Sequence, residues 1–338
     1  MLVYYIGNGQ GGCYYYRCYL PLLHNGWSGE YISMFPRKKT SEELAKGTMM
    51  SDIIVFQRPD DVKKLEMAKM LKKAGKKIVF ENDDTYSVLD NDMNFKEEFL
   101  RQNEFLIDFM KIADLVTTTT EQLADEYRKH NDNVVVLPNF IDTDDWDEPI
   151  KNKSDKIRIG LVGSVLHNGD YKHIQLLLKD LSDRVDIQLV LFGLKGLPAI
   201  FEERFKEEFN FWNSLNIEWK ESVPNYMYPE TLNELELDMM LIPRKETYFN
   251  KCKSNCKYLE ASMLEIPVVA EKFEGSPYMN DKVLLAHTLS EWREQVYKLI
   301  DDKVFRVKLG KEAKAEVIKN YNIEDKANLW KKTYQKLV

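Results

Sequence analysis

Residues 156–164 read "KIRIGLVGS". After its first lysine the run is apolar and β-rich, and it stops at a glycine that can turn the chain. Its weight comes from what precedes it. Residues 141–156, "IDTDDWDEPIKNKSDK", are polar with no apolar period, and they make the best linker in the chain. A strand pattern therefore restarts here. Beyond it "DIQLVLFG", "NIEWKES", "LDMMLIPR", "IPVVA" and "VLLAH" follow, with helical stretches between them. Ahead of the linker "LVYYI", "SDIIVFQR", "KKIVFEN", "ADLVTTTT" and "NVVVLPN" alternate with amphipathic stretches such as "DDVKKLEMAKMLKKAG" and "TEQLADEYRKH". Such alternation specifies βαβ units and parallel sheets.

The expected class is α/β: two Rossmann-like, doubly wound parallel-sheet domains facing a cleft. Their expected bounds are residues 1–145 and 146–318, with a helical tail over 319–338. Ligands of such sheets lie outside the carboxyl ends of the strands. Length agrees, since 338 residues suit two domains of ordinary size. With 44% hydrophobic and 30% charged residues the chain has ample core for a soluble protein. A net charge of −7 argues against a chain that lives on nucleic acid or an anionic membrane. No run reaches membrane-spanning length, and "MLVYYIGNGQGG" reads as a first strand instead of a signal peptide, so the expected location is cytoplasmic, without stable membrane insertion. Four cysteines in so long a chain do not form a disulfide framework.

"GNGQGG" fits G-x-G-x-x-G at Gly7, Gly9 and Gly12, after a strand and before a helix. Two readings stay open. Gly9, Gly11 and Gly12 let a phosphate or sugar approach a helix N-terminus, or they serve a tight turn. A dinucleotide enzyme wants an acid after the second strand, where Pro36, Arg37 and Lys38 stand; only a 2′-phosphate cofactor would suit those cations.

Residues 250–270, "NKCKSNCKYLEASMLEIPVVA", read as a helix running into a buried strand, with Ser254 as its N-cap. Stability favours acids at a helix start, yet Lys253 and Lys257 stand there, and Glu260 follows a turn later. One reading is a diphosphate held by the lysines with a ribose diol on Glu260. The other is a solvated lysine pair with an i,i+3 Lys–Glu bridge. Cys252 with Cys256, and Cys13 with Cys18, have spacings that zinc allows, but Cys256 and Cys18 fall on apolar stripes where free cysteine is ordinary.

Three stretches carry a family likeness. "ADLVTTTTEQLADEYRKHNDNVVVLPNFIDTDDW", "KIRIGLVGS" and "KYLEASMLEIPVVA" together resemble GT-B glycosyltransferases, in particular the retaining, nucleotide-sugar-dependent family 4. The resemblance implies a hexosyltransferase that uses a UDP-sugar, UDP-glucose or a related UDP-hexose, with no metal and no further cofactor. It implies a final helix that packs back on the first domain. Glu260 falls on the second glutamate of the family's E-x₇-E motif, which holds the donor's ribose; the first falls on Cys252 and is absent. Gly163 and Ser164 stand at the glycine turn, Lys172 replaces the missing arginine, and Lys253, Ser254 and Lys257 surround the diphosphate, with Arg244 also on the donor side. Asp83 and Asp84, after "FEN", stand on the acceptor side, with Tyr14 and Arg17. The catalytic set is then Asp83, Asp84, Lys172 and Lys257. The aspartates orient an acceptor hydroxyl, or act as base if the reaction inverts; aromatic packing is the rival reading of the tyrosines.

The acceptor is not readable: a glycan, a small molecule, or a modified DNA base all fit. A non-catalytic nucleotide-sugar-binding protein is the rival from another class, because the first glutamate is missing.

Overall fold

The computed structural model describes the chain except residues 8–10, 31–38, 60, 87–95, 164, 196–202 and 204, and the side chains of 98, 99, 165, 166, 168 and 195. The chain forms two compact units. The first comprises residues 1–142, 247–254 and 321–338; the second comprises 143–246 and 255–320.

The first unit holds the strands β1 (Val3–Ile6), β2 (Ser28–Gly29), β3 (Ile53–Gln57), β4 (Lys77–Glu81), β5 (Leu115–Thr118) and β6 (Val134–Val136). They form one parallel sheet in the order β2-β1-β3-β4-β5-β6. β3, "IIVFQ", is buried at every position, as a strand covered on both faces must be. Helices start where the sequence supplies a cap. Thr40 and Glu43 form a reciprocal capping box, and Asp61 accepts from the Lys64 N–H. Phe109 packs its ring against Phe56 and Phe80, with centroids 5.1 and 5.6 Å away.

Two distant segments complete this unit. Residues 321–338 bury Trp330 and Tyr334, and Trp330 lies edge-on to Phe140 at 5.8 Å. Trp27 stacks on Tyr334 at 5.5 Å. Residues 247–254 put Cys252, 1% exposed, into the same apolar core as Phe56 and Phe80. Thr120 Oγ1 donates to the Cys252 carbonyl at 3.2 Å, and Asn139 Nδ2 to Ser254 Oγ at 2.9 Å. The sequence assigns this stretch to the domain 146–318; its buried side chain and these two hydrogen bonds place it in the first unit.

The second unit holds β7 (Ile157–Val162), β8 (Ile187–Lys195), β9 (Ile217–Glu221), β10 (Met239–Ile242), β11 (Val268–Glu271) and β12 (Val283–Ala286). They too are parallel, in the order β12-β11-β10-β7-β8-β9. The helix Cys256–Met263 precedes β11. It ends in a Schellman turn: Ile266 N–H donates to the Ala261 carbonyl at 3.0 Å and Glu265 N–H to Ser262 at 2.9 Å. Glu265 holds the left-handed position, φ 55°, where the "LEAMA-x-G-x-PVVA" pattern carries glycine.

In each sheet one pair of neighbouring strands sends its connections in opposite directions. The pair is β1 and β3 in the first unit, β7 and β10 in the second. The carboxyl ends at such a reversal leave a crevice that no crossover covers.

Candidate functional site

In the second unit the chain leaves β7 at Gly163 and leaves β10 through Pro243 and Arg244. Gly193, in β8 at φ 100°, backs onto this turn: a Cβ there would lie 2.6 Å from the Gly163 carbonyl oxygen, so only glycine permits the approach. A Cβ on Gly163 would lie 3.8 Å from Lys257 Nζ, which brings the glycine turn and the helix Cys256–Met263 together. That helix starts at Asn255 with no side-chain cap. Ser254 is therefore not the cap expected of it, because its hydroxyl is engaged by Asn139 in the first unit.

Arg244 is 4% exposed. Its Nη1 donates to Asp170 Oδ2 at 3.0 Å, while the Lys245 N–H donates to Asp170 Oδ1 at 3.1 Å and His167 Nδ1 lies 2.9 Å from Oδ2. Burial alone would raise the Asp170 carboxyl; the His167 hydrogen bond and the Arg244 charge outweigh it and bring it to about 2. Arg244 Nε is buried and has no hydrogen-bond partner among the described residues. Lys257, in the first turn of its helix, makes no ion pair or hydrogen bond among the described residues. Burial, then the charge of Arg244, pushes its amine down to about 8. Two neighbouring cations, one with an orphaned donor, meet an uncapped helix start. That arrangement attracts an anion with several oxygens.

Glu260, one turn further along, is 9% exposed. Tyr228 donates its hydroxyl to Glu260 Oε2 at 2.9 Å, and its ring stacks on Phe192 at 5.4 Å and 17°. Lys172, expected as a donor-side cation, is 55% exposed in its side chain and pairs with Glu208 at 3.0 Å. That partner and its hydration leave Arg244 and Lys257 as the buried cations of this crevice among the described residues. Ser164 and Gly9, with Arg37 and Lys38, lie outside the described residues.

In the first unit, Asp83 and Asp84 follow β4, and Arg58 follows β3 with a left-handed φ of 44°. Arg58 Nη2 donates to Asp84 Oδ2 at 2.5 Å and to the Tyr86 hydroxyl at 3.1 Å, and its Nη1 to Cys13 Sγ at 2.9 Å. Lys253 pairs with the other oxygen of Asp84 and covers the Phe249 ring at 4.0 Å. Burial would raise the Asp83 carboxyl; Arg58, a Cys13 hydrogen bond and Lys253 leave it below its ordinary value. Lys253 thus sits within the first unit, against an aspartate, and is not grouped with Lys257 and Glu260 in the second.

Arg17, expected to face an acceptor, is fully buried. Its guanidinium grips Glu81 at 2.8 and 3.0 Å and also donates to Asn139 Oδ1 at 2.9 Å. A buried carboxylate needs such a partner, so Arg17 serves the core. Tyr14 is 4% exposed and packs against Gly7, where a Cβ would lie 3.0 Å from its ring. Gly11, φ 93°, and Gly12 instead have room for a Cβ among the described residues. Cys18 and Cys252 are buried, and none of the four cysteines forms a disulfide. Among the described residues no group of three or more His, Cys, Asp or Glu is placed to hold a metal. No described helix is long and apolar enough to cross a membrane.

Arg58, Tyr228 and Phe192 escaped the sequence reading. Arg58 had one signal, "FQRPDD": a cation straight after a buried strand. Tyr228 and Phe192 had none, since only the fold brings them to Glu260.

Residues 172–332 match the family model described as glycosyl transferase-like. Among solved structures, the chain is similar to sucrose-phosphate synthase from Thermosynechococcus elongatus, at 14% identity and TM-score 0.68 over 99% of this chain and 98% of that one. It is similar to HepE of Anabaena in complex with UDP, at 12% identity and TM-score 0.68 over 99% and 100%. It is also similar to TarM of S. aureus, at 13% identity and TM-score 0.59 over 83% of this chain and 54% of that one; the chain spans about half of TarM. No curated protein matches the chain in sequence. The fold is GT-B, and the stretch 172–332 is similar to glycosyl transferase-like domains.

Proposed function

We propose that the protein is a hexosyltransferase that takes a UDP-sugar as donor, needs no metal, retains anomeric configuration, and passes the sugar to a hydroxyl acceptor. The carrying observation is the pair Lys257 and Arg244 at the β7/β10 reversal, beside the Gly163 turn and the uncapped helix start. Transfer from a nucleoside diphosphate develops charge on the departing phosphate. Two cations and the positive end of the helix stabilise that charge where other folds use a metal ion. Glu260 accepts from a ribose diol. HepE has been solved with UDP-glucose, which supports the donor class. In the first unit Asp83 and Asp84, held by Arg58 and Lys253, are the groups to orient an acceptor hydroxyl.

A thermal-shift screen of nucleotide sugars tests the donor, since a ligand at 100 times its Kd stabilises by about 2.7 kcal/mol. A UDP-hexose should give the largest shift, with or without EDTA. No shift with any nucleotide sugar would sink the proposal. A shift that needs magnesium or manganese would remove its metal-free part.

A second reading has one observation behind it. Cys252, at the position of the family's first glutamate, is buried in the apolar core of the first unit, where no sugar reaches it. A non-catalytic nucleotide-sugar-binding protein would show that loss. Turnover separates the two: the enzyme slowly hydrolyses its donor without acceptor, and the binding protein does not.

A further inference from the structure

Glu260 is held by a tyrosine of its own unit. Tyr228 donates to Oε2 at 2.9 Å. The tyrosine is itself held: its ring lies on Phe192 at 5.4 Å, nearly parallel. Phe192 is 2% exposed, and the next residue, Gly193, abuts the Gly163 turn. The strand end that shapes the glycine turn thus also fixes the ring that reaches Glu260.

We propose that Tyr228 is a positioning residue that fixes the Glu260 carboxylate for one job, accepting hydrogen bonds from the two hydroxyls of a donor ribose. This rests on the reading of Glu260 given above and goes beyond it.

A free glutamate side chain has three rotatable bonds and loses freedom when it engages a diol. A bond from a clamped hydroxyl to one oxygen spends that loss in folding and leaves the carboxylate set before the ligand arrives. The carboxylate has about four lone-pair sites, more than the Tyr228 bond occupies, so it can also accept from a diol. Tyr228 remains a donor at working pH: burial, then the charge and hydrogen bond of Glu260, hold its phenol well above the ordinary value. Tyr228 is not a catalytic residue here, because it acts only through Glu260.

The ligand arm of the test is the ribose itself. UDP and 2′,3′-dideoxy-UDP are titrated calorimetrically into the intact protein and into Tyr228→Phe, which keeps the ring on Phe192 and loses one oxygen. ADP and GDP with their dideoxy forms are run alongside. The native protein should bind the ribonucleotide about tenfold more tightly than its dideoxy form, as one charge-assisted bond allows. Tyr228→Phe should lose three- to tenfold toward the ribonucleotide and nothing toward the dideoxy form. Equal losses toward both would make Tyr228 a general packing residue and overturn the proposal, as would no loss toward either. Phe192→Leu is the second variant, for the case that Tyr228→Phe does not fold; it frees the ring and should show the same ribose-selective loss, smaller in size. Glu260→Gln separates the two levels. If it binds the ribonucleotide as the native protein does, or if no nucleotide binds the native protein, the ribose reading itself falls. If Glu260→Gln loses affinity and both Tyr228→Phe and Phe192→Leu do not, only the positioning role falls.

Discussion

Lys257 is a lysine with its charge under strain from a neighbour. Its amine is brought down to about 8 by burial and by Arg244. A bound diphosphate favours the charged form, so binding takes up a proton wherever the free amine has lost one. Affinity for a nucleoside diphosphate should be flat between about pH 7 and 8, where the terminal phosphate is ionised, and fall by up to about tenfold per pH unit above that. Lys257→Ala should abolish that slope and weaken binding at pH 7 by about 1.5–3 kcal/mol. Titrations at pH 7 and pH 9 check both, and an equal slope in the variant would refute the assignment. The stability effect runs the other way. The unfolded lysine titrates near about 10.4, so between the two values the unfolded chain holds more protons, and folding stability rises with pH across that window. Arg17 makes a different prediction. Its removal leaves Glu81 buried and uncompensated, so Arg17→Ala should cost about 3–5 kcal/mol in chemical denaturation. A loss under about 1 kcal/mol would show that Arg17 is not the core partner its geometry implies.

At the scale of the element, the helix Cys256–Met263 shows how one segment was legible and its ends were not. Its apolar spacing and the "IPVVA" strand after it are visible in the sequence, and so are Lys257 and Glu260 on its first turns. Its start is not, because Ser254 looks like a cap and is bonded elsewhere. Its end carries Glu265 in a left-handed conformation that costs a side-chain-bearing residue about 1–2 kcal/mol. Glu265→Gly should therefore raise stability by about 0.5–1 kcal/mol, after losing the partly exposed pair with Lys151 at 2.7 Å. The helix Lys303–Tyr321 crosses this turn at Gly310, where a Cβ would lie 2.0 Å from the Glu265 carbonyl oxygen. Gly310→Ala should then cost at least about 2 kcal/mol. Thermal melts of the two variants should move in opposite directions; a melt of Gly310→Ala within a degree of the native one would contradict the close crossing.

For the whole molecule, two compact units predict that damage can be confined to one of them. Residues 321–338 supply Trp330 and Tyr334 to the first unit. A chain ending at Asn320 should uncover Trp27, Tyr5 and Phe140, which those side chains contact. Limited proteolysis should then cut first within residues 1–142 and leave 143–320 resistant by comparison. Equal resistance across both would show that the tail contributes no packing to the first unit.

Local pattern was enough for the βαβ class, for the restart at "KIRIGLVGS", and for placing Lys257 and Glu260 on the first turns of a helix that runs into a buried strand; Arg244 entered only through the family resemblance. These features repeat within a few residues, because strand alternation and helix spacing are short-range consequences of backbone geometry. Tertiary structure alone decided that Cys252 and Lys253 belong to the first unit, that Arg17 pairs with Glu81, and that Tyr228 holds Glu260. Each of these joins residues far apart in the chain. A buried charge or an apolar side chain takes whichever partner the packed fold brings near, and no local spacing encodes that partner.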